Sequence, residues 1–329
     1  MEFGFSEEQQ ELATTVRSLL TKRADPRAVR AAMTSDLGHD AELWQTLVDQ
    51  IGATALAIPE QHGGAGFSLF EAVIVLEELG RSLAPTPLLA SLVTAEALLA
   101  GGDPDAQARL LPRVAAGEVA AYVDGDAPAL DAAAATVLVG VVGDELVEID
   151  PGTATRTPAE TMDQTLRMAR VDLDGATTRV IGRAGPARER VALVGAVAVT
   201  ALQAGLAARA VEMTVAYTKQ RVQFGRPIGS FQALKHRMAD MLVLLEMSRS
   251  ASWAASYAVS VGGDDAPRLT HVAKSYCSDA LDRIAGETVQ LHGGIAITWE
   301  HDAHLVFKRA HALGQLYGAA HEHRALIEL

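Results

Sequence analysis

This 329-residue sequence contains little cysteine and has no excess of positive charge. Cys277 is the only cysteine, so no disulfide can form within the chain, and a structural zinc site built from several thiolates is excluded. The formal net charge is −13 at pH 7. Non-specific binding of nucleic acid requires clustered Lys and Arg that neutralise phosphates, so no nucleic-acid partner is expected.

The sequence also lacks targeting and membrane signals. The first ten residues, MEFGFSEEQQ, are acidic and contain no basic region followed by an apolar stretch, so no signal peptide is expected. Arg, Glu or Gln interrupts the longest apolar runs before 18 residues, so no membrane span is predicted. A cytoplasmic protein is the default expectation.

Signatures of several enzyme classes are absent as well. HGGAGFSL (62–69) has leucine where a dinucleotide fingerprint needs its third glycine, and no Walker A sequence occurs. Six of the ten histidines lie in the last 40 residues, but none forms an HExxH pattern, and no nucleophile-elbow signature occurs. No metal site is predicted.

Apolar residues are abundant, at 49% against 21% charged residues, which is enough for a large core. Helical periodicity dominates the first 115 residues, where Ser6 and Gln9 have the spacing of a capping box. Helices are predicted over 6–23, 41–52, 69–81 and 88–100, with a short one after Pro104. Residues 1–115 are therefore predicted to form a helical domain.

The pattern changes over residues 116–183. TVLVGVV and ELVEI flank Gly143 and Asp144, which predicts a β-hairpin, and TLRMARVDL resembles another strand. This β segment is too short for a doubly wound nucleotide-binding fold. From 184 to 329 the periodicity is helical again, with helices predicted near 187–219, 231–260, 265–292, 301–313 and 318–328. Long helices with short connections favour an antiparallel bundle, so the expected fold is mainly α with a small central β domain.

A polar segment, RVQFGRPIGSFQALKH (221–236), interrupts the apolar helical region. Arg221 presents a planar, charged fork suited to phosphate oxygens. Gly225 and Pro227 are expected to end one helix and begin the next, so that free amides at a helix N-terminus face the same region. Apolar side chains offer a stacking surface for a flat ring. From the residues alone, an ordinary interhelical turn with surface arginines is an equally good interpretation.

A second segment, VQLHGGIAITWE, places Gln290 near a helix end and then a turn at Gly293 and Gly294. Glycines there allow a ligand to approach the backbone closely. A glycine C-cap is the simpler interpretation, and it describes the local structure whether or not a ligand binds.

Both segments resemble the C-terminal signature of acyl-CoA dehydrogenases. LWQTLVDQIGATALAIPEQHGGAGFSLFEAVIVLEELGRSLAPTP resembles the N-terminal part of that family, and MDQTLRMARVDLDG resembles the strand that closes its middle domain. The resemblance covers nearly the whole chain. It implies an N-terminal helical domain, a middle β domain, here truncated, and a C-terminal four-helix bundle. It also implies α,β-dehydrogenation of acyl-CoA thioesters, with FAD as hydride acceptor and a glutamate as base.

In that family the arginine-glutamine-phenylalanine segment contacts the FAD of a neighbouring subunit. The resemblance assigns this role to residues of both segments, with Ala296 standing where the family often has a third glycine. The predicted FAD-binding residues are Arg221, Gln223, Phe224, Ile228, Phe231, Gln232, Gln290, Gly293 and Gly294.

The family's catalytic base has no counterpart here. The usual glutamate position falls on Tyr317, and residues 303–321 contain no Asp or Glu. The alternative family position falls on Gly195, and residues 191–211 contain no acid either. A tyrosine with a pKa near its reference value of about 10 is a poor base at neutral pH. No catalytic residue is therefore predicted on this chain.

The family's flavin-supporting motif is missing too. Middle domains of the family carry a Trp-Ile-Thr or Trp-Ile-Ser strand beside the flavin ring, whereas tryptophan occurs here only at positions 44, 253 and 299. The segment is also shorter than in ordinary members. The chain thus keeps the part of the site that reaches a neighbouring flavin and lacks the part that holds its own.

The resemblance is strongest to the short non-catalytic subunit of actinobacterial heterotetrameric dehydrogenases that act on steroid side chains. It implies a full-length catalytic partner in an α2β2 heterotetramer with one FAD per heterodimer. An acyl-CoA, with the CoA thioester of a steroid side chain as the leading candidate, would occupy the partner's site. An electron-transfer flavoprotein or a similar acceptor would reoxidise the flavin.

Two other hypotheses stay open at this point. One is a homo-oligomeric flavoenzyme with a displaced base at Glu189, Glu287 or Glu300. The other is a binding or scaffold protein that holds no flavin.

Overall fold

The computed structural model describes residues 4–327, and within them the fold is mainly helical with a small β region. The fold class expected from the sequence is therefore confirmed. The chain groups into two compact units, one of Met1–Val75 with Ala84–Gly195 and the other of Leu76–Leu83 with Ala196–Leu329. The domain boundaries at 116 and 184 stay a prediction.

Side-chain caps mark the start of several helices in the N-terminal region. Ser6 and Gln9 form the expected capping box, which satisfies backbone amides at the first turn. The helices are α1 (Glu7–Arg23), α2 (Pro26–Thr34), α3 (Ala41–Thr46), α4 (Leu69–Ser82), α5 (Leu88–Gly101) and α6 (Pro104–Ala115). A π-helical turn, Leu47–Ile51, extends α3 to Gly52, and a 3₁₀ turn spans Glu60–His62. The sequence analysis missed α2, although Asp25 caps it and Pro26 opens it.

The β region consists of two small sheets in the first unit. The strands are β1 (Ala120–Asp124), β2 (Ala129–Leu130), β3 (Val137–Val142), β4 (Glu145–Ile149), β5 (Thr155–Pro158), β6 (Met168–Asp172) and β7 (Thr178–Arg183). Their orders are β1-β3-β4-β7 and β2-β6-β5. Val142 pairs with Glu145, so the hairpin predicted at Gly143 and Asp144 is confirmed. Buried Leu138, Ile149 and Ala169 lie in the shared apolar core.

Long helices build the C-terminal region. They are α7 (Ala184–Gln220), α8 (Gln232–Ser260), α9 (Ala266–His292), α10 (Ala303–Gln315) and α11 (Ala320–Ala325). The helix predicted over 318–328 is shorter than expected, and its last position lies outside the described residues. A short connection joins α8 to α9, which pack as antiparallel neighbours.

The most apolar helix is a core element. By length and composition α7 is able to cross a membrane, and its most apolar 18-residue window has a mean hydropathy of 2.0. That window is 89% buried inside the fold. Burial of this extent is typical of a helix in a protein core.

Glycines allow two helices of the second unit to approach closely. A Cβ added at Gly205 of α7 would overlap the carbonyl of Glu77 in α4, and one added at Gly80 would overlap the carbonyl of Leu202. Only a residue without a side chain fits at such a crossing.

Candidate functional site

The Arg221 segment is a β-hairpin rather than a junction of two helices. Strands β8 (Val222–Gln223) and β9 (Arg226–Pro227) pair around Phe224 and Gly225, whose φ values are 53° and 75°. Positive φ at both central residues is typical of a type I′ hairpin turn. The expectation that Gly225 and Pro227 end one helix and begin the next is therefore wrong. A 3₁₀ turn (Ile228–Ser230) follows, and α8 begins only at Gln232.

The hairpin presents an aromatic and cationic surface. Phe224 is 92% exposed, and its ring meets that of Phe231 edge-on at 6.1 Å between centroids. The guanidinium carbon of Arg226 lies 4.0 Å from the centroid of the Phe231 ring. Sequence reasoning named both phenylalanines but missed Arg226, although it follows Gly225 directly. An exposed phenylalanine beside a cation suits a flat or anionic ligand.

The other predicted residues of this segment differ in exposure and in backbone role. Arg221 and Gln223 are exposed, and Ile228 is half-buried. The Ile228 amide donates to the Arg221 carbonyl at 2.8 Å and so closes the hairpin. Exposed Gln232 begins α8, with its amide nitrogen 3.4 Å from Nε2 of His236.

The glycine pair caps α9 and leaves open space beside it. The Gly293 amide donates to the Val289 carbonyl, and φ at Gly293 is 64°. Both Gly293 and Gly294 are exposed, and no heavy atom lies within 4 Å of a Cβ built on either. The structure therefore contains the C-cap, and it also leaves the room that close approach of a ligand requires. Gln290 is exposed two residues before the helix ends.

Contacts between helices bring the two segments to the same end of the second unit. The Tyr217 ring, in the last turn of α7, stacks on His292 at the end of α9 with 4.5 Å between centroids. Arg237 near the start of α8 donates to Glu287 near the end of α9 at 2.5 Å. The hairpin and the glycine pair thus follow the neighbouring ends of α7 and α9, next to the start of α8, and their joint role in binding FAD stays a prediction.

The three glutamates considered as displaced bases lie in different surroundings. Glu287 is engaged by the Arg237 guanidinium, which occupies its carboxylate. Glu300 is exposed in the segment after the glycine pair. The third candidate, Glu189, is exposed on the part of α7 that belongs to the first unit.

The position expected for the family's base lies in a turn held by basic side chains. Tyr317 and Gly318 have φ values of 53° and 99° between α10 and α11. Buried Lys274 donates to the carbonyls of Gly318 at 2.7 Å and Gly314 at 3.2 Å, and Nε2 of His323 donates to the Tyr317 carbonyl at 2.8 Å. Burial lowers the pKa of Lys274 to about 8. Sequence reasoning missed Lys274, because a single lysine among the Thr, Ser and Ala residues of α9 does not reveal that it is buried.

Comparison with known proteins identifies the family. The model for the N-terminal domain of acyl-CoA dehydrogenases matches residues 6–118, and the model for their C-terminal domain matches residues 188–328. The chain is 44% identical to the acyl-CoA dehydrogenase IpdE2 of Mycolicibacterium smegmatis over 98% of each protein. The chain belongs to the acyl-CoA dehydrogenase family. Residues 119–187, between the two matched ranges, include the small β region.

Solved structures share the fold. One is the Tcur3481–Tcur3483 steroid ACAD, at 30% identity and a TM-score of 0.88 over 98% of this chain and 96% of that one. Another is the ChsE4–ChsE5 complex from Mycobacterium tuberculosis, at 26% identity and a TM-score of 0.89 over 99% and 98%.

FAD is the cofactor of acyl-CoA dehydrogenases, and the residues of this chain fit part of such a site. An exposed arginine, an exposed phenylalanine and two open glycines suit the phosphates and a flat ring of a dinucleotide. Residues 116–183 contain no tryptophan to support a flavin ring. The fit therefore covers the hairpin and glycine segments alone.

Proposed function

We propose that this chain is the subunit without a catalytic glutamate in a heteromeric, FAD-dependent acyl-CoA dehydrogenase. The observation that carries the proposal is an asymmetry between two sites. The hairpin and the glycine pair are exposed and suited to a dinucleotide, whereas the base position falls on Tyr317, which is not a carboxylate, in a turn held by Lys274 and His323. The carboxylate next to this turn, that of Glu322, accepts the Ala319 amide at 2.7 Å.

Each part of the proposed site has a role that follows from its chemistry. Arg221 binds pyrophosphate oxygens through its planar fork. Phe224 and Phe231 stack against a flat ring, and Gly293 and Gly294 admit the cofactor close to the backbone. When bound, FAD supplies the acceptor for the hydride that leaves the β-carbon of the acyl chain. The α-proton goes to a carboxylate of the partner subunit.

The proposed partner is a full-length acyl-CoA dehydrogenase subunit, in an α2β2 assembly with one FAD per heterodimer. Similarity to one chain of the ChsE4–ChsE5 complex supports a heteromeric assembly. Similarity to the Tcur3481–Tcur3483 steroid ACAD supports a CoA thioester with a steroid side chain as substrate. We further propose an electron-transfer flavoprotein or a similar acceptor and a cytoplasmic location.

Co-expression with candidate full-length dehydrogenase subunits tests the proposal. The purified complex should contain one FAD per heterodimer, and Arg221→Ala should lower its flavin content. Arg268→Ala is the matched control, because Arg268 pairs with Asp265 at the opposite end of α9. Tyr317→Phe should leave turnover of an acyl-CoA within about twofold, since removal of a general base costs about 10²-fold or more.

Two results would contradict this assignment. One is stoichiometric FAD and acyl-CoA oxidation in the chain purified alone. The other is loss of turnover in Tyr317→Phe with flavin content and assembly unchanged, which would place that hydroxyl in the chemistry.

A further inference from the structure

Three aromatic side chains connect the two segments of the candidate FAD site. The carbonyl of Tyr217 accepts the Arg221 amide at 2.9 Å, and His292 directly precedes Gly293. The His301 ring lies 4.5 Å from that of His292 and 6.1 Å from that of Tyr217. The loop that carries the glycine pair thus begins at His292 and ends at His301, and both rings pack with Tyr217. Tyr217, His292 and His301 are called the ring cluster below.

Hydrogen bonding fixes the orientation of the central ring. His292 is only 3% exposed, and its Nδ1 lies 2.7 Å from the Thr288 carbonyl. A carbonyl only accepts, so Nδ1 carries the proton. Burial, and secondarily the neighbouring His301, lowers the pKa of His292, so the ring packs against Tyr217 as a neutral aromatic.

Polar contacts deeper in the fold fix α7 against α9. Thr214 of α7 donates to Thr288 of α9 at 3.2 Å, and both side chains are fully buried. Farther along, the Gln203 amide donates to the Ser278 hydroxyl at 3.0 Å. Sliding one helix along the other would break these bonds and leave buried polar groups without partners. The helices that carry Tyr217 and His292 therefore keep a fixed relative position.

We infer that the ring cluster is a positioning element for FAD, which holds the Arg221 hairpin at the correct distance from Gly293 and Gly294. This inference rests on the proposed function. The hairpin and the glycines follow different helices, so their separation depends on side chains packed between those helices. Tyr217 and His292 are positioning residues, because they act through the backbone of the residues next to them and not by contact with the cofactor.

The test compares His292→Leu with His292→Phe in the co-expressed complex, by titrating the deflavinated protein with FAD and following flavin fluorescence. Leucine removes the ring pair and should raise the Kd for FAD about threefold to tenfold, which lies within the roughly twofold to twelvefold that an aromatic pair is worth. Phenylalanine keeps the ring and should restore the Kd to within about twofold. His311→Leu is the control, because His311 packs on Phe307 and pairs with exposed Asp282 rather than with a residue of the ring cluster.

Tyr217→Leu and Tyr217→Phe repeat the comparison from the other helix and decide the question if His292→Leu does not fold. A purely structural role would lower the melting temperature while the folded complex kept its Kd. If both leucine variants kept the wild-type Kd while Arg221→Ala still weakened FAD binding, the positioning role of the ring cluster would be overturned and the proposed function would stand. An unchanged Kd in Arg221→Ala as well would overturn the proposed function.

Discussion

At the scale of single residues, Lys274 is a buried cation with a structural role. Its ammonium has three hydrogen-bond donors, and the Ser278 hydroxyl and the carbonyls of Gly314 and Gly318 accept them. A charge can remain buried when every donor is matched in this way. The lysine thereby fixes the turn that contains Tyr317.

Beside that turn, two histidines make stability depend on pH. Nδ1 of His271 and Nδ1 of His323 lie 2.9 Å apart, so only one of them carries a proton. Burial lowers the pKa of both rings. A lowered pKa in the folded state gives stability that is present above the unfolded value of about 6.5 and is lost as the pH falls below it.

We therefore expect the melting temperature to fall between pH 7 and pH 5, and to fall less steeply in His271→Phe. The control is His321→Phe, because His321 is exposed. Scanning calorimetry at several pH values measures the slope. Equal slopes in wild type and His271→Phe would rule out a contribution from this pair.

At the scale of secondary-structure elements, close helix packing is the feature most sensitive to substitution. Gly205→Ala places a methyl group against the Glu77 carbonyl and should destabilise the fold by about 1–3 kcal/mol, the usual cost of overpacking. Gly286→Ala in α9 is the matched control, since no atom lies within 4 Å of its added Cβ. It should be neutral or stabilise by about 0.5–1 kcal/mol. Urea unfolding of both variants makes the comparison, and equal stabilities would contradict close packing at Gly205.

Elements with strong periodicity were predictable from the sequence, and short elements were not. The long helices and the Gly143–Asp144 hairpin follow from local patterns, so their existence was predicted correctly. The β8–β9 hairpin has two-residue strands and places Phe224 at positive φ, which composition does not indicate. The site segments were recognisable as motifs. The Tyr217–His292 contact and the bonds of Lys274 join residues far apart in sequence, so only the fold could reveal them.

At the scale of the whole molecule, a bound cofactor should change stability in the complex but not in the isolated chain. A ligand that binds only the folded state stabilises it by about 2.7 kcal/mol at one hundred times its Kd. FAD should therefore raise the melting temperature of the heteromeric complex, and Arg221→Ala should remove most of that rise at the same FAD concentration. The isolated chain should show no shift, because residues 116–183 lack the tryptophan that supports a flavin in the family. An equal shift in the isolated chain would show a complete flavin site there.

Under the proposed function, the turn at Tyr317 also limits how a catalytic base could arise on this chain. A Tyr317→Glu change would introduce a carboxylate into a turn whose carbonyls bind the buried Lys274 ammonium. A nearby cation favours the ionised form of a carboxylate, lowers its pKa and makes it a weaker base. Recovery of a competent base would then require coordinated changes at Tyr317, Lys274 and the turn. Under the proposed division of work between two subunits, single mutations would rarely restore a base on this chain, and its proposed dependence on a partner would persist through evolution.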